Sequence, residues 1–534
     1  MSLLTLPAPD PALRLPFEAR PKALAQWLEH LPFASPLDAG QLLATALHGL
    51  NRLTLDLTTR QDLLLLFHPA VMRAAANLEP LMTDAGVPPL AQQRQASTLL
   101  RTLMQETCVA YKGLLQGLTS QHSGRGHARR QAEFSARLMA ALRDWMAACY
   151  LGYGTPPAGL WHEMHSLYRS VQAAGMSETE SGDTVPASVA YRQTLLLALA
   201  DPPRMNRSEF LHTQYYLDQL ARLAQLHPAA RAPDTCGFAV PANSDRSPAQ
   251  ADGTDAPLWL DTDALCRALH DALIRMRTGE SPRRIGFHPA MEGELSLTLG
   301  KRLLMLWRTG AKRGFQRYPA DGTAIEVVAG VSAIHRLLDN ALLQAAAPQD
   351  EDPDSALIAD TTPIGAGPAK FFTSLWTLRN DSATGLALSA TPDAPLNLKV
   401  GDALALRPRI EGDAEPDEHW SLAVIRWVRM DDTRRVELGI ERLSPMIQPV
   451  WVRPLRGRHK GSPEPALYVP AERKQPDRLL LPRLVYQSGM DAELWHPPRQ
   501  YLLTFGRRLE HTSSFDLIDF TLFASENSAD GTST

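Results

Sequence analysis

A chain of 534 residues is longer than one ordinary core can organise, and at roughly 100 to 200 residues per domain it predicts two to four domains. Hydrophobic residues at 44% and charged residues at 21% exclude wholesale disorder, and a formal net charge of -4 excludes a global field that would recruit nucleic acid or anionic membrane. Cys108, Cys149, Cys236 and Cys266 form no C-x-x-C pair, which argues against a zinc knuckle or a disulfide framework and for a reducing compartment. The first residues lack a basic segment followed by an apolar one, and no later run approaches the roughly 18 apolar residues of a membrane span. A cytoplasmic protein without membrane insertion is expected.

Residues 1–228 read as all-α. Leu24, Trp27, Leu28 and Leu31 make one helical stripe, and Leu100, Leu103, Met104, Cys108, Tyr111 and Leu115 make another. Ser35-Pro36-Leu37-Asp38 carries an N-cap, a first-turn proline and an acid at the third position, ahead of Leu42, Leu43 and Leu47. Phe134, Leu138, Leu142, Trp145 and Cys149, then Trp161, Met164, Tyr168 and Val171, continue the pattern. No fixed-period repeat emerges, so a bundle or an irregular solenoid is expected. His162-Glu163-Met164-His165 lacks the i, i+4 histidine spacing of a metalloprotease box and reads as an ordinary packed helix.

Residues 229–258, rich in proline and containing Asp252-Gly253, read as a linker. A connector at 259–312 follows: a helix capped around Asp261-Thr262-Asp263 and running to 277, a short strand at 285–287, and a helix at 294–308. From 313 to 456 short alternating runs predict a small β-barrel or sandwich, with 420–441 forming a hairpin about Asp431-Asp432-Thr433. Within it a helix at 331–345 and an acidic loop at 349–354 interrupt the strands, an apparent insertion at about 331–370. Residues 457–523 are a further β-rich segment, and 524–534 form a disordered polar tail. Arg453, Arg456, Arg458 and Lys460 read as a solvated basic loop, and Trp427 as a barrel core residue.

Two stretches carry the chemistry. Lys301, Arg302, Arg308, Lys312, Arg313 and Arg317 make a run with no acid, and Arg313 and Arg317 sit four residues apart just before an apolar strand. Downstream comes Arg379-Asn380-Asp381-Ser382-Ala383-Thr384-Gly385, a polar turn entering the strand Leu386-Ala387-Leu388-Ser389. On an extended segment Asn380 and Ser382 face one side and Asp381 the other, while Gly385 takes positive φ or admits close backbone approach. Arginine holds phosphate bidentately, pairs with guanine and stacks on purines, whereas lysine offers a point charge.

These two parts, followed by Val400-Gly401-Asp402, Ile425-Arg426-Trp427-Val428-Arg429 and Glu437-Leu438-Gly439-Ile440-Glu441, resemble the PilZ domain over about 313–445. The resemblance implies an antiparallel β-barrel and a receptor for the bacterial second messenger cyclic di-GMP. It further implies Arg313 and Arg317 on a flexible arm and Asn380, Ser382 and Gly385 on the barrel; Lys312, Arg379 and Asp381 beside them are candidates for additional contacts. The chain departs from the family in placing 62 residues between Arg317 and Asn380.

The whole is therefore expected to be a multidomain α+β protein, with an all-α N-terminal region, a PilZ-like barrel bearing a helical insertion, and a β-rich C-terminal segment. The expected function is a cytosolic effector that binds cyclic di-GMP and signals to a protein partner through its helical region. The alternative is a nucleotide-independent scaffold or chaperone-like adaptor. No metal, cofactor, catalysis or nucleic-acid binding is expected; no P-loop, nucleophile elbow or dinucleotide fingerprint is present.

Overall fold

The computed structural model describes residues 6–10, 12–82, 85–120, 126–180, 184–228, 236–250, 256–310, 316–320, 322–345, 373–391, 396–409, 419–456, 459–471, 476–496 and 499–523. The chain folds as two compact units, one formed mainly by Pro89–Gly314 with Met1–Ala85, the other mainly by Phe315–Val428 and Thr433–Thr534.

The first unit is helical: α1 (Pro21–Glu29), α2 (Pro36–Leu50), α3 (Leu57–Leu78), α4 (Ala91–Ser120), α5 (His127–Leu151), α6 (Leu160–Ala173), α7 (Ala187–Leu199) and α8 (Arg207–Leu220). The predicted stripes lie inside it, with Leu103, Cys108, Tyr111, Phe134, Leu142 and Met164 all buried in one core. Asn206 and Glu209 close a reciprocal capping box on α8, and Asp56 caps α3 through the Thr59 N–H at 2.9 Å. Ser35 stands at the N-cap of α2, but its hydroxyl donates to Asp38 at 2.6 Å instead of accepting a backbone N–H. His165 is a satisfied core histidine, bonded to Tyr191 Oη at 2.6 Å and to the Arg246 carbonyl at 2.9 Å.

Part of the expected linker is ordered as sheet. β1 (Gln225–His227), β2 (Gly237–Val240) and β3 (Leu258–Asp261) form a three-stranded antiparallel sheet in the order β1-β3-β2. Phe238, Val240, Leu258 and Leu260 are apolar enough to be drawn into the helical core despite the surrounding prolines. α9 (Asp263–Arg277) and α10 (Glu294–Thr309) share that core, where the Trp307 indole donates to the Leu196 carbonyl at 2.9 Å and Tyr216 Oη to the Ser296 carbonyl at 2.8 Å. The short strand expected at 285–287 is absent. Pro282 starts a single 3-10 turn ending at Ile285, and Gly286, at φ 87°, stops it in the left-handed region that glycine adopts without strain.

The second unit holds two barrels. The first comprises β4 (Tyr318–Pro319), β5 (Ala324–Ala329), β6 (Ser374–Asp381), β7 (Gly385–Ala390), β8 (Ala403–Arg409), β9 (Ser421–Met430) and β10 (Val436–Ser444). The neighbours run β6-β5-β8-β9-β10-β7, and a β6–β7 pairing closes the ring, while β4 continues the β5 edge against the end of β6. The second comprises β11 (Gln448–Arg456), β12 (His459–Lys460), β13 (Glu464–Val469), β14 (Arg478–Pro482), β15 (Asp491–His496), β16 (Arg499–His511) and β17 (Phe515–Leu522), closed by β11 pairing with β15. Arg453, expected in a loop, lies on β11, where it is 3.3 Å from Glu493 and rests over the Trp495 ring.

Between β5 and β6 runs α11 (Val331–Ala345), the helix read as an insertion. β5 and β6 remain paired across it, Ala324 with Thr377 and Glu326 with Leu375, so the extra residues leave ring closure intact. Long loops add little closure entropy. Val331 and Ile334 of α11 join Val328, Ala403, Ala405, Leu422 and Val424 of the first barrel and Leu467, Val469, Leu480, Phe515 and Leu517 of the second in one core. Leu479 and Leu481 turn the other way, into the interior of the second barrel with Val450, Leu503 and Phe505. A strand buried on both faces reads as an unbroken apolar run, here Leu479-Leu480-Leu481.

Candidate functional site

The Asn380–Gly385 segment is the hairpin joining β6 to β7. Ser382 closes it: its N–H donates to the Gly385 carbonyl at 2.9 Å, its Oγ donates to the same carbonyl at 2.9 Å, and the Gly385 N–H donates back to Oγ at 3.1 Å. Ala383 and Thr384 are the loop tip, both exposed. Gly385 does not adopt positive φ; among the described residues its need for glycine comes from crowding, since a Cβ there would stand 2.4 Å from the Ile440 carbonyl of β10. Close strand approach, the second of the two reasons foreseen, is the operative one.

Asp381 turns to β10 and is gripped by Arg442, Nη1 to Oδ1 at 2.9 Å and Nη2 to Oδ2 at 3.1 Å; the same Nη1 donates to the Ser382 carbonyl at 3.2 Å. A bidentate guanidinium–carboxylate pair fixes orientation as well as charge. Asn380 is half-buried and Arg379 exposed, and neither side chain makes a hydrogen bond or ion pair among the described residues. A register shift between Leu378 and Asn380 marks a bulge there, a device that re-aims side chains at barrel rims.

Tyr318 of β4 pairs with Asp381 and Pro319 pairs with Asn380. Arg317 directly precedes this strand, so the antiparallel register carried one residue further sets it opposite Ser382; it is exposed and has no ion pair among the described residues. Lys312 and Arg313 lie outside the described residues. Trp427, expected in the barrel core, is only half-buried and lies against the backbone of β10, where a Cβ on Gly439 would be 1.7 Å from its Nε1.

Sequence reasoning missed Arg442 and Tyr318. Arg442 had a signal: Val436, Leu438 and Ile440 recur as buried residues at every second position of β10, and the next position in that spacing is an arginine, which is exposed. Tyr318 had none, because a two-residue strand containing proline shows no periodicity.

A closed antiparallel barrel led by an arginine-bearing segment and rimmed by an Asn-x-Ser-x-x-Gly hairpin defines a PilZ-type protein. Three family models match it in succession: the N-terminal domain of the cyclic-di-GMP receptor FimW over residues 22–231, its middle PilZ domain over 238–362 and 367–449, and its C-terminal beta-barrel domain over 450–523. The chain belongs to the FimW family. The curated relative named Cyclic-di-GMP receptor FimW, from Pseudomonas aeruginosa, is 25% identical, in a match covering 97% of this chain and 93% of the relative. No solved structure matches the chain.

Proposed function

We propose that the chain is a receptor for cyclic di-GMP, with its site at the mouth of the first barrel. Arg313 and Arg317 supply the arm, and Asn380, Ser382 and Gly385 the rim, with Lys312, Arg379 and Asp381 at the periphery. The name of the Pseudomonas aeruginosa relative supports the ligand. The observation that carries the residue assignment is the β4–β6 register, which ties the end of the arm to the strand leading into Ser382. The ligand is a doubly anionic bis-purine. Guanidinium groups meet its phosphates bidentately and the guanine edge at O6 and N7, and the Asn380 amide, without a partner among the described residues, offers both donor and acceptor.

The arm is also the covalent link from α10 to β4. On this reading, nucleotide binding orders the arm and changes how the helical unit engages a protein partner, a cytoplasmic event in which the four cysteines, all free of disulfides, stay reduced. Titration calorimetry tests the site: binding heat with the wild-type chain, lost in Arg317→Ala and weakened in Ser382→Ala, is the expected outcome. Hydrogen exchange on the same samples should slow across residues 260–320; unchanged exchange would remove the relay.

One observation favours a second reading, a barrel that docks protein without nucleotide. The Ser382 hydroxyl and Gly385 are each fully accounted for by the turn itself. A silent wild-type titration would establish that reading.

A further inference from the structure

Tyr318 stands out among the residues around the hairpin. Its ring is 60% exposed and makes no ring, hydrogen-bond or ion-pair contact among the described residues. A single exposed aromatic is ordinary on a protein surface and by itself means nothing. The backbone beneath this one is unusually well fixed. Pro319 follows, which holds Tyr318 in the extended region and out of helical conformations. The β4–β6 pairing sets Tyr318 opposite Asp381, and the Ala320 N–H donates to the Arg379 carbonyl at 3.1 Å, fastening the far side of the short strand. Asp381 in turn is locked by both terminal nitrogens of Arg442.

The result is an aromatic side chain with only two torsions to settle, mounted on a braced strand end. It is next to Arg317, which has no ion pair among the described residues, and across the strand from the Asn380–Ser382 rim. Such a ring loses little conformational freedom when a flat partner covers it. A planar purine is that partner: stacking on an aromatic face is the usual way proteins hold an unpaired base, and it needs no hydrogen bond from the ring.

Resting on the receptor reading above, we propose that Tyr318 is a stacking platform for one purine of the bound dinucleotide, contributing affinity through its ring face and not through its hydroxyl. Arg317 then meets the adjoining phosphate or the opposite purine face, so that the base is held between a fixed ring and the guanidinium of the arm.

The test is calorimetric titration of cyclic di-GMP into the full-length wild type and into Tyr318→Ala, Tyr318→Leu and Tyr318→Phe. Kd is expected to rise roughly tenfold in the alanine and leucine variants and to stay near wild type in the phenylalanine variant. Melting temperatures without nucleotide should change little in all three, since the residue is mostly exposed and makes no ring or hydrogen-bond contact among the described residues. Wild-type affinity in Tyr318→Ala would overturn the platform while leaving the receptor reading intact. A loss in Tyr318→Phe as large as in Tyr318→Ala would overturn it too, by assigning the contact to the hydroxyl. Absence of binding by the wild type itself would overturn the receptor reading and the platform together.

Discussion

The two barrels each contain the same turn. In the first, Ser382 N–H and Oγ both reach the Gly385 carbonyl, and the Gly385 N–H returns to Oγ. In the second, at the β16–β17 hairpin, Thr512 N–H and Oγ1 both reach the Phe515 carbonyl, and the Phe515 N–H returns to Oγ1 at 3.0 Å. The surroundings differ. The second turn is spent on its neighbour: Ser513 Oγ donates to the Val400 carbonyl, Ser514 Oγ to Asp402, and Phe515 is wholly buried in the core shared by the two barrels. Among the described residues, the first turn keeps an exposed tip, an unengaged amide at Asn380 and an unpaired guanidinium at Arg317. A hydroxyl that closes a hairpin is therefore a structural device in both places. Uncommitted polar groups around it are what distinguish a rim able to take a ligand from one that holds the fold together.

The sharpest break in that symmetry is at the last residue of each turn. Phe515→Ala empties a fully buried aromatic site and should cost about 3–5 kcal/mol of stability in urea unfolding, with nucleotide affinity in the surviving folded fraction unchanged. If that variant weakened the nucleotide as much as Arg317→Ala, the division between a structural turn and a binding turn would fail. Next come the hydroxyls. Ser382→Ala and Thr512→Ala each forfeit one part-buried hydrogen-bonding group and should lose about 1 kcal/mol alike, but only the first should raise Kd for cyclic di-GMP.

The smallest expected effect concerns the seam between the barrels. His335 of α11 is buried with its ring edge-on to Trp451 at 4.6 Å, and burial holds its pKa below the ordinary histidine value. Asp339 favours the charged ring and Arg336 opposes it, both more weakly than burial. A depressed folded pKa means that the unfolded chain binds the extra proton, so stability is present above the unfolded value of about 6.5 and is lost progressively as pH falls from there through the lower folded value. His335→Leu should remove part of the acid sensitivity seen in unfolding curves between pH 5 and 8 (a range chosen to bracket about 6.5). A variant whose pH dependence equals the wild type's would detach the seam from that titration.

How much of this could be read from the chain depended on how local each feature is. The helical stripes were legible because each helix turns an apolar face to one core, and α11 was legible at the same bounds, 331–345, for that reason. The first barrel emerged through its family resemblance and alternating strands. Closure of the second was not legible, since it rests on β11 meeting β15 across the strands between them, a pairing that no window of residues encodes. β2 hid among prolines, and the Ile285–Gly286–Phe287 run looked like a strand until the positive φ of Gly286 made it the end of a turn. At the candidate site the residue types were legible, but their partners were not. Nothing local announces that Asp381 belongs to Arg442, or that Gly385 is small because β10 passes so close.

α11 has a practical consequence for anyone working with pieces of this molecule. Because the helix packs on both rings at once, a fragment trimmed after β10 would present Val331, Ile334, Leu422 and Val424 to water as a greasy flank. The tandem rings should accordingly be expressed, melted and refolded as one object, with the shorter fragment self-associating.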